Sequence, residues 1–163
     1  MKIGVVSDTH SRSIPRQLTD DFRDVEFIIH AGDFCSLKDY EIFQGYKEVK
    51  AVYGNMDEPK LREKLPERLI FAFEGFKIGI YHGRGPATRV LESVREEFSD
   101  ERLDCVIFGH SHHPFNQVMN DVLYFNPGSP NDTVVAPYCS YGILEIKNNK
   151  LVGKIIKIKS ENG

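Results

Sequence analysis

The first ten residues join a short apolar run to two side chains that could bind a cation. Ile3, Val5 and Val6 predict a buried strand, and Asp8 and His10 follow where that strand should end. Side chains two positions apart leave an extended segment on the same side. A carboxylate and an imidazole placed in this way can share a divalent cation, although a turn-forming Asp and a surface His give the same pattern.

Polar side chains follow four further apolar runs in the same way. The runs and the residues behind them are 26–29 with Asp33, 49–53 with Asn55, 77–81 with His82, and 105–108 with His110 and His112. Open α/β sheets bind ligands just beyond the carboxyl ends of their strands. A turn former or a hydrogen-bonded core group explains any one of these residues, but the set predicts a metal centre built from oxygen and imidazole ligands.

The spacing of the apolar runs predicts an α/β fold. Helical periodicity is present at 14–25, 37–46 and 90–98, and the early strands alternate with it as in parallel β-α-β units. Three hairpin patterns dominate the second half, at 69–81, 117–125 and 141–158. We therefore expect residues 1–163 to form a single domain of two packed mixed β-sheets with helices outside.

Composition excludes several classes of protein. The formal net charge of −3 gives no electrostatic reason to bind long nucleic acids. The three cysteines, Cys35, Cys105 and Cys139, lack the spacing of a disulfide framework or a thiolate zinc site. We find no signal-peptide core and no apolar window long enough for a membrane span, so we expect a cytoplasmic protein.

The ordered polar blocks of this chain identify a family. They are Asp8-Thr9-His10, Gly32-Asp33, Gly54-Asn55-Met56-Asp57, His82-Gly83 and Gly109-His110-Ser111-His112. This order resembles the calcineurin-like metallophosphoesterase superfamily over nearly the whole chain. The short length and the loop Asn126-Pro127-Gly128-Ser129 resemble its small prokaryotic phosphodiesterases without a cap domain. The resemblance implies a four-layer α/β/β/α sandwich.

The resemblance also implies two divalent metal ions and assigns their ligands. One ion would be bound by Asp8, His10 and His112, the other by Asn55, His82 and His110, and both by a bridging Asp33. Among these ligands, we expect Asp33, Asn55 and His82 to be catalytic. The many imidazoles favour manganese, our first choice, or nickel, iron, zinc or cobalt over magnesium, which prefers oxygen ligands.

A charge count supports a hydrolytic centre. Two divalent ions carry four positive charges, and Asp8 and Asp33 supply only two negative ones. A bridging hydroxide and an anionic phosphoester would balance the remainder. Two metals roughly 3.5–4 Å apart can hold such a hydroxide for in-line attack on phosphorus. The resemblance implies a small phosphoester substrate, with phosphodiesters favoured, and this charge count agrees with it.

One position departs from the family pattern. Many superfamily members have a His after the Asn of the Gly-Asn block, and that His helps the leaving group depart. Met56 stands here and cannot donate a proton. His113 could replace it, although an adjacent residue is more often a solvent-facing loop side chain. His30 is expected to form hydrogen bonds, and the loop at 126–129 to support the His-bearing loops.

The sequence does not decide which residues bind the substrate, or whether the protein is an enzyme or a scaffold. Asn55, Arg12 and Arg84 are candidate substrate-binding residues, although either arginine could be an ordinary solvated loop charge. The rival to an enzyme is a catalytically weak protein-interaction scaffold, like the retromer subunit that resembles this subfamily. A complete ligand set favours the enzyme. Open sheet edges leave room for a homo-oligomer.

Overall fold

Ten strands form two five-stranded sheets in the computed structural model, which describes residues 1–160. In chain order they are β1 (Lys2–Val6), β2 (Ile28–His30), β3 (Val49–Ala51), β4 (Arg68–Phe73), β5 (Phe76–Tyr81), β6 (Cys105–Ile107), β7 (Phe115–Met119), β8 (Val122–Asn126), β9 (Ser140–Lys147) and β10 (Lys150–Lys157). The first sheet has the order β10-β9-β1-β2-β3, and the second has the order β4-β5-β6-β8-β7.

Both sheets are mixed, and each contains three adjacent parallel strands whose carboxyl ends align. In the first sheet, β1 pairs in parallel with β2 and β2 with β3, so that Val6 lies beside His30 and His30 beside Ala51. In the second sheet β5 and β6 are parallel, with Ile80 beside Ile107. The outer pairs β9–β10, β4–β5 and β7–β8 are antiparallel hairpins. The loops that follow β1, β2, β3, β5 and β6 carry the candidate ligands.

Four short helices accompany the sheets. They are α1 (Arg16–Asp21), α2 (Leu37–Gln44), α3 (Pro59–Lys64) and α4 (Val90–Glu97), with 3-10 turns before α4 and after α1. Helix α3 is absent from our sequence-based expectation, since its six residues are too few to show a period and only Leu61 is buried. No helix within residues 1–160 is long and apolar enough to cross a bilayer.

Three apolar clusters order these elements into layers. The central cluster fills the space between the sheets and includes Val5, Ile29, Ile80 and Ile107, all essentially inaccessible to solvent. The outer face of the first sheet packs beneath α1, α2 and α3, which contribute Leu18, Phe43 and Leu61 respectively. The outer face of the second sheet packs beneath α4, through Val90 and Val94. The α/β class and the two packed mixed sheets are confirmed.

Candidate metal centre

The loops behind the strands hold several candidate ligands in an unusual backbone conformation. Five of them have a positive φ, namely Asp8 (58°), His10 (47°), Asp33 (61°), His110 (71°) and His112 (60°). A non-glycine residue in the left-handed region costs on the order of 1–3 kcal/mol. Strained residues of this kind cluster at active sites and ligand-binding sites. In this protein they are the residues whose acidic and imidazole side chains converge on one point.

One group of ligands consists of Asp8, His10 and His112. One ligand atom from each lies within 4.8 Å of the other two. The Oδ1 atom of Asp8 is 3.4 Å from Nε2 of His112 and 3.8 Å from Nε2 of His10. The two Nε2 atoms are 3.2 Å apart. Two groups that each bind one ion at about 2.1 Å are separated by roughly 3–4 Å, so this spacing suits a shared cation.

A second group lies beside the first and consists of Asp33, His82 and His110, again within 4.8 Å of one another. The Oδ2 atom of Asp33 is 3.2 Å from Nε2 of His82. It is also 3.5 Å from Nε2 of His10, which belongs to the first group. The side chain of Asn55 joins this second group, with its Oδ1 atom 3.1 Å from Nδ1 of His110. Asp33 thus lies between the two groups.

In two of the histidines, the ring nitrogen that faces away from the cluster forms a hydrogen bond with a backbone carbonyl. His82 Nδ1 donates to the Ala31 carbonyl at 2.7 Å, and His110 Nε2 donates to the Gly85 carbonyl at 2.8 Å. A ring that donates from its outer nitrogen presents a lone pair at the inner one when it is neutral. Metal-binding histidines are held in this way, which fixes both tautomer and orientation.

Two buried atoms test whether these residues fit a metal. Asp8 Oδ1 and His82 Nε2 form no hydrogen bond of acceptable geometry within residues 1–160, although both are shielded from water and Asp33 Oδ2 lies 3.2 Å from the His82 nitrogen. They face each other at 3.8 Å. Buried polar atoms are almost always paired, so an orphaned carboxylate oxygen and an orphaned imidazole nitrogen require an explanation. A cation supplies one, and the donor set fits divalent transition metals.

The carboxylates change the protonation of two imidazoles. Burial alone would lower the pKa of His82, but Asp8 and Asp33 outweigh it and raise that pKa to about 9. Burial likewise opposes protonation of His112, and Asp8 with Asp132 raises its pKa to about 9. Burial would raise the pKa of Asp8, yet the nearby imidazoles hold it well below its usual range. The metal-free centre is therefore expected to hold imidazolium–carboxylate pairs at neutral pH.

We expect metal binding at pH 7 to release about two protons, because a cation binds only neutral imidazoles. Both pKa values are raised above the ordinary 6.5. Protonation therefore competes with the ion below about pH 9, and apparent affinity should rise as the pH rises from 7 to 9. Calorimetry in buffers of different ionisation enthalpy measures the released protons. Equal heats in all buffers would contradict the expectation.

Asp57 supports the centre without belonging to it. This buried carboxylate accepts hydrogen bonds from the backbone N–H groups of Asp33 (3.0 Å), Gly54 (2.7 Å) and Cys35 (2.7 Å). It therefore ties the loops after β2 and β3 together. The N–H of Met56 donates to Asp33 Oδ1 at 2.8 Å, which leaves Oδ2 directed at the histidines. The Met56 side chain is 57% exposed and offers no proton.

Asp132 is a functional candidate that the sequence analysis missed. Its Oδ2 lies 2.5 Å from Nδ1 of His112, and its Oδ1 accepts from the backbone N–H groups of Val134 (2.8 Å) and Val135 (3.1 Å). The residue is only 4% exposed. It orients His112 and adds a negative charge next to the centre. Within its sequence Pro-Asn-Asp-Thr it is indistinguishable from an ordinary turn residue.

Further polar groups support the loops that bear the ligands. Asn126 donates to the Gly109 carbonyl and to Ser111 Oγ, both at 3.1 Å, while Ser129 donates to the Asp8 carbonyl at 2.8 Å. The loop at 126–129 thus has the supporting position that the sequence suggested.

The two remaining histidines lie outside the cluster. His30 is buried and bonds to Thr9 Oγ1 and to the N–H of Gly32, each at 3.1 Å, and burial lowers its pKa. It is therefore a neutral hydrogen-bonding group, as expected. His113 is exposed, and its Nδ1 lies 2.7 Å from the Ser111 carbonyl. That bond keeps its ring on its own loop.

The two predicted substrate-binding arginines line different cavities. Arg84 shares a cavity of about 250 Å³ with Asn55 and His82, although its guanidinium pairs with Glu96 at 3.1 Å. Arg12 lines a cavity of about 300 Å³ beside Thr9 and donates to the Asn131 carbonyl at 3.2 Å. Arg84 thus lies beside candidate ligands, whereas Arg12 lies on the side of the loop after β1.

Two packed sheets with carboxylate and imidazole groups converging at their strand ends have the arrangement of a metal-binding protein. A family model, the calcineurin-like phosphoesterase superfamily domain, matches residues 1–149. The chain belongs to that superfamily. It is 36% identical over 162 residues to a probable metallophosphoesterase of Methanothermobacter thermautotrophicus, a match that covers 96% of this chain and 92% of the relative.

A further relative and a solved structure similar to this chain are both described as phosphodiesterases. Phosphodiesterase MJ0936 of Methanocaldococcus jannaschii is 37% identical over 144 residues, which covers 78% of this chain and 83% of that protein. A solved structure described as a novel archaeal phosphodiesterase superposes with a TM-score of 0.75 at 28% identity, covering 96% of this chain and all of the other. The predicted family, its small prokaryotic branch and the hydrolase class are confirmed.

Proposed function

We propose that this protein hydrolyses small phosphodiesters at a centre of two divalent metal ions, with manganese as the preferred metal. Asp8, His10 and His112 would hold one ion, and Asn55, His82 and His110 the other, with Asp33 shared by both. The observation that carries the proposal is the pair of buried, unpartnered atoms Asp8 Oδ1 and His82 Nε2. The similarity to a phosphodiesterase supports the substrate class.

The chain's own residues would orient the reaction. When bound, the ions would supply a nucleophile derived from water and polarise the phosphoryl oxygens. Asn55 is exposed beside His110 and can touch both an ion and a phosphoryl oxygen. The buried carboxylates Asp8 and Asp33 keep the charge of the centre fixed while the substrate exchanges.

Two features favour a diester over a monoester. Asp132 adds a third carboxylate to Asp8 and Asp33, and these three charges together with a bound hydroxide would balance the four charges of two divalent ions, so that each further negative charge on the substrate is poorly compensated. A diester carries one negative charge and a monoester nearly two. Met56 also cannot donate a proton to a poor leaving group. Proton donation of this kind typically raises the rate by about 10²–10⁴-fold.

Metal reconstitution with two aryl substrates tests the proposal. Protein stripped with a chelator is expected to regain hydrolysis of bis-p-nitrophenyl phosphate when Mn is added, with Ni, Co, Fe, Zn and Mg compared. It should act about tenfold more slowly on p-nitrophenyl phosphate, because one surplus charge near 10 Å costs on the order of 1–2 kcal/mol at an effective dielectric of about 20. Release of nitrophenol is the measurement, and D33A is the control.

Either of two results would contradict the proposal. A clear preference for the monoester would remove the diesterase assignment. No turnover with any metal, in protein shown to bind two ions, would favour the protein-interaction scaffold. The search would then turn to a protein partner.

A further inference from the structure

We propose that Arg62 forms a subsite for a second phosphate group of the substrate, an inference that rests on the proposed phosphodiesterase function. Arg62 lies in α3, the helix that the sequence analysis missed. It lines the cavity of about 250 Å³ that Asn55 and His82 also border. A substrate bound at the metal centre would therefore have this cavity beside it.

The guanidinium of Arg62 is held in place by the protein backbone. Its Nε donates to the carbonyl of Asp57 at 2.8 Å, and one terminal nitrogen donates to the carbonyl of Asn55 at 2.5 Å. Its central carbon lies 5.6 Å from the centre of the Tyr53 ring. A long side chain normally loses considerable freedom when it binds a ligand. Here much of that freedom is already lost before binding.

Arg62 forms no ion pair within residues 1–160. Both of its hydrogen bonds go to neutral carbonyls, and Glu67, which lines the same cavity, is not within ion-pair distance of it. Arg84 on the same cavity differs, because it pairs with Glu96 at 3.1 Å. The terminal nitrogen that Asn55 does not engage still carries N–H donors. A fixed guanidinium with free donors is suited to an oxyanion.

The position of Arg62 beside the candidate metal centre indicates what kind of group it would bind. Arg62 donates to the backbone carbonyl of Asn55, and the side-chain Oδ1 of the same residue is 3.1 Å from His110 Nδ1. A group bound to Arg62 would thus belong to the same small molecule as the reacting phosphate. A phosphate carries up to two charges and three acceptor oxygens, so it could reach both Arg62 and Arg84. We therefore favour a second phosphate over a single carboxylate.

A binding experiment without turnover tests this subsite. Thymidine 5′-phosphate and thymidine 3′,5′-bisphosphate differ by one phosphate, and calorimetry on the metal-loaded protein compares them. We expect the bisphosphate to bind about tenfold more tightly to the wild type, as one charge-assisted hydrogen-bonded contact allows. In R62Q that ratio should fall close to one, and in R62K, which keeps the charge but not the fork, it should be intermediate.

Controls separate the subsite from other effects. R62Q also removes the bonds to Asn55 and Asp57, and damage to the metal centre would weaken both nucleotides equally without changing their ratio. R16Q removes an exposed arginine on α1 and should keep the tenfold ratio. Equal binding of the two nucleotides to the wild type, binding of neither, or an unchanged ratio in R62Q would overturn the subsite. None of these results depends on hydrolysis, so failure of the proposed activity is seen separately.

Discussion

Replacing Asp33 with asparagine is expected to lower phosphodiester hydrolysis by about 10²–10³-fold and to reduce the number of tightly bound ions. Asp33 Oδ2 lies between the two imidazole groups, 3.2 Å from His82 Nε2 and 3.5 Å from His10 Nε2. Removing one partner of a buried charge pair typically costs about 3–5 kcal/mol, and the lower part of that range corresponds to about 10²–10³-fold. The measurements are metal content after dialysis and the rate with bis-p-nitrophenyl phosphate.

The choice of asparagine isolates the charge from the shape of the loop. Asp33 Oδ1 accepts from the N–H of Met56 at 2.8 Å, and the amide oxygen of asparagine can keep that bond. Circular dichroism and thermal unfolding in chelator should therefore show a folded protein. Two ions bound with unchanged affinity in this variant would rule out Asp33 as the shared ligand.

Replacing Asp57 with alanine is expected to lower the free energy of unfolding by about 3–4 kcal/mol, even without metal. The variant leaves three N–H groups, of Asp33, Cys35 and Gly54, without their acceptor. Each unsatisfied buried donor costs on the order of 1–3 kcal/mol, and partial access of water reduces the sum. Urea denaturation in the presence of a chelator measures the change.

Two further variants, D57N and D100A, show whether the loss of stability comes from the lost hydrogen-bond acceptor. Asn at position 57 keeps one good acceptor, so D57N should lose about half as much stability as D57A. Asp100 is exposed, and D100A should change stability by less than about 0.5 kcal/mol. If D57A were as stable as the wild type while losing activity, Asp57 would act in catalysis and not in loop support.

The sequence was sufficient to predict where the candidate ligands lie in the fold, because the strands that precede them are continuous apolar runs, whereas their role as ligands stays a prediction. A buried parallel strand is a continuous apolar run, and a polar residue behind it falls at the sheet's carboxyl edge. Asp8 and Asp33 follow such runs and are found at that edge. The pairing of the groups is also close to expectation, since Asp8, His10 and His112 lie together.

The residues that the sequence did not reveal act through contacts between distant loops. Asp132 lies 20 positions from His112 and within a turn-like stretch, so nothing local distinguishes its carboxylate. Arg62 is placed by a two-turn helix that packs through Leu61 alone. Asp57 was recognised as acidic, but its three backbone partners depend on how two loops meet. Such roles are set by tertiary packing and have no periodic signal.

Each group of candidate ligands takes side chains from both sheets. His10 follows β1 of the first sheet and His112 follows β6 of the second, 102 positions later. An ion held between them would act as a removable cross-link that exists only in the folded chain, and it would add about 2.7 kcal/mol of stability at a free metal concentration of 100 times its dissociation constant. Chains deprived of metal would then unfold, and be degraded, more readily than metal-bound ones. The cellular lifetime of this protein would follow the supply of its metal.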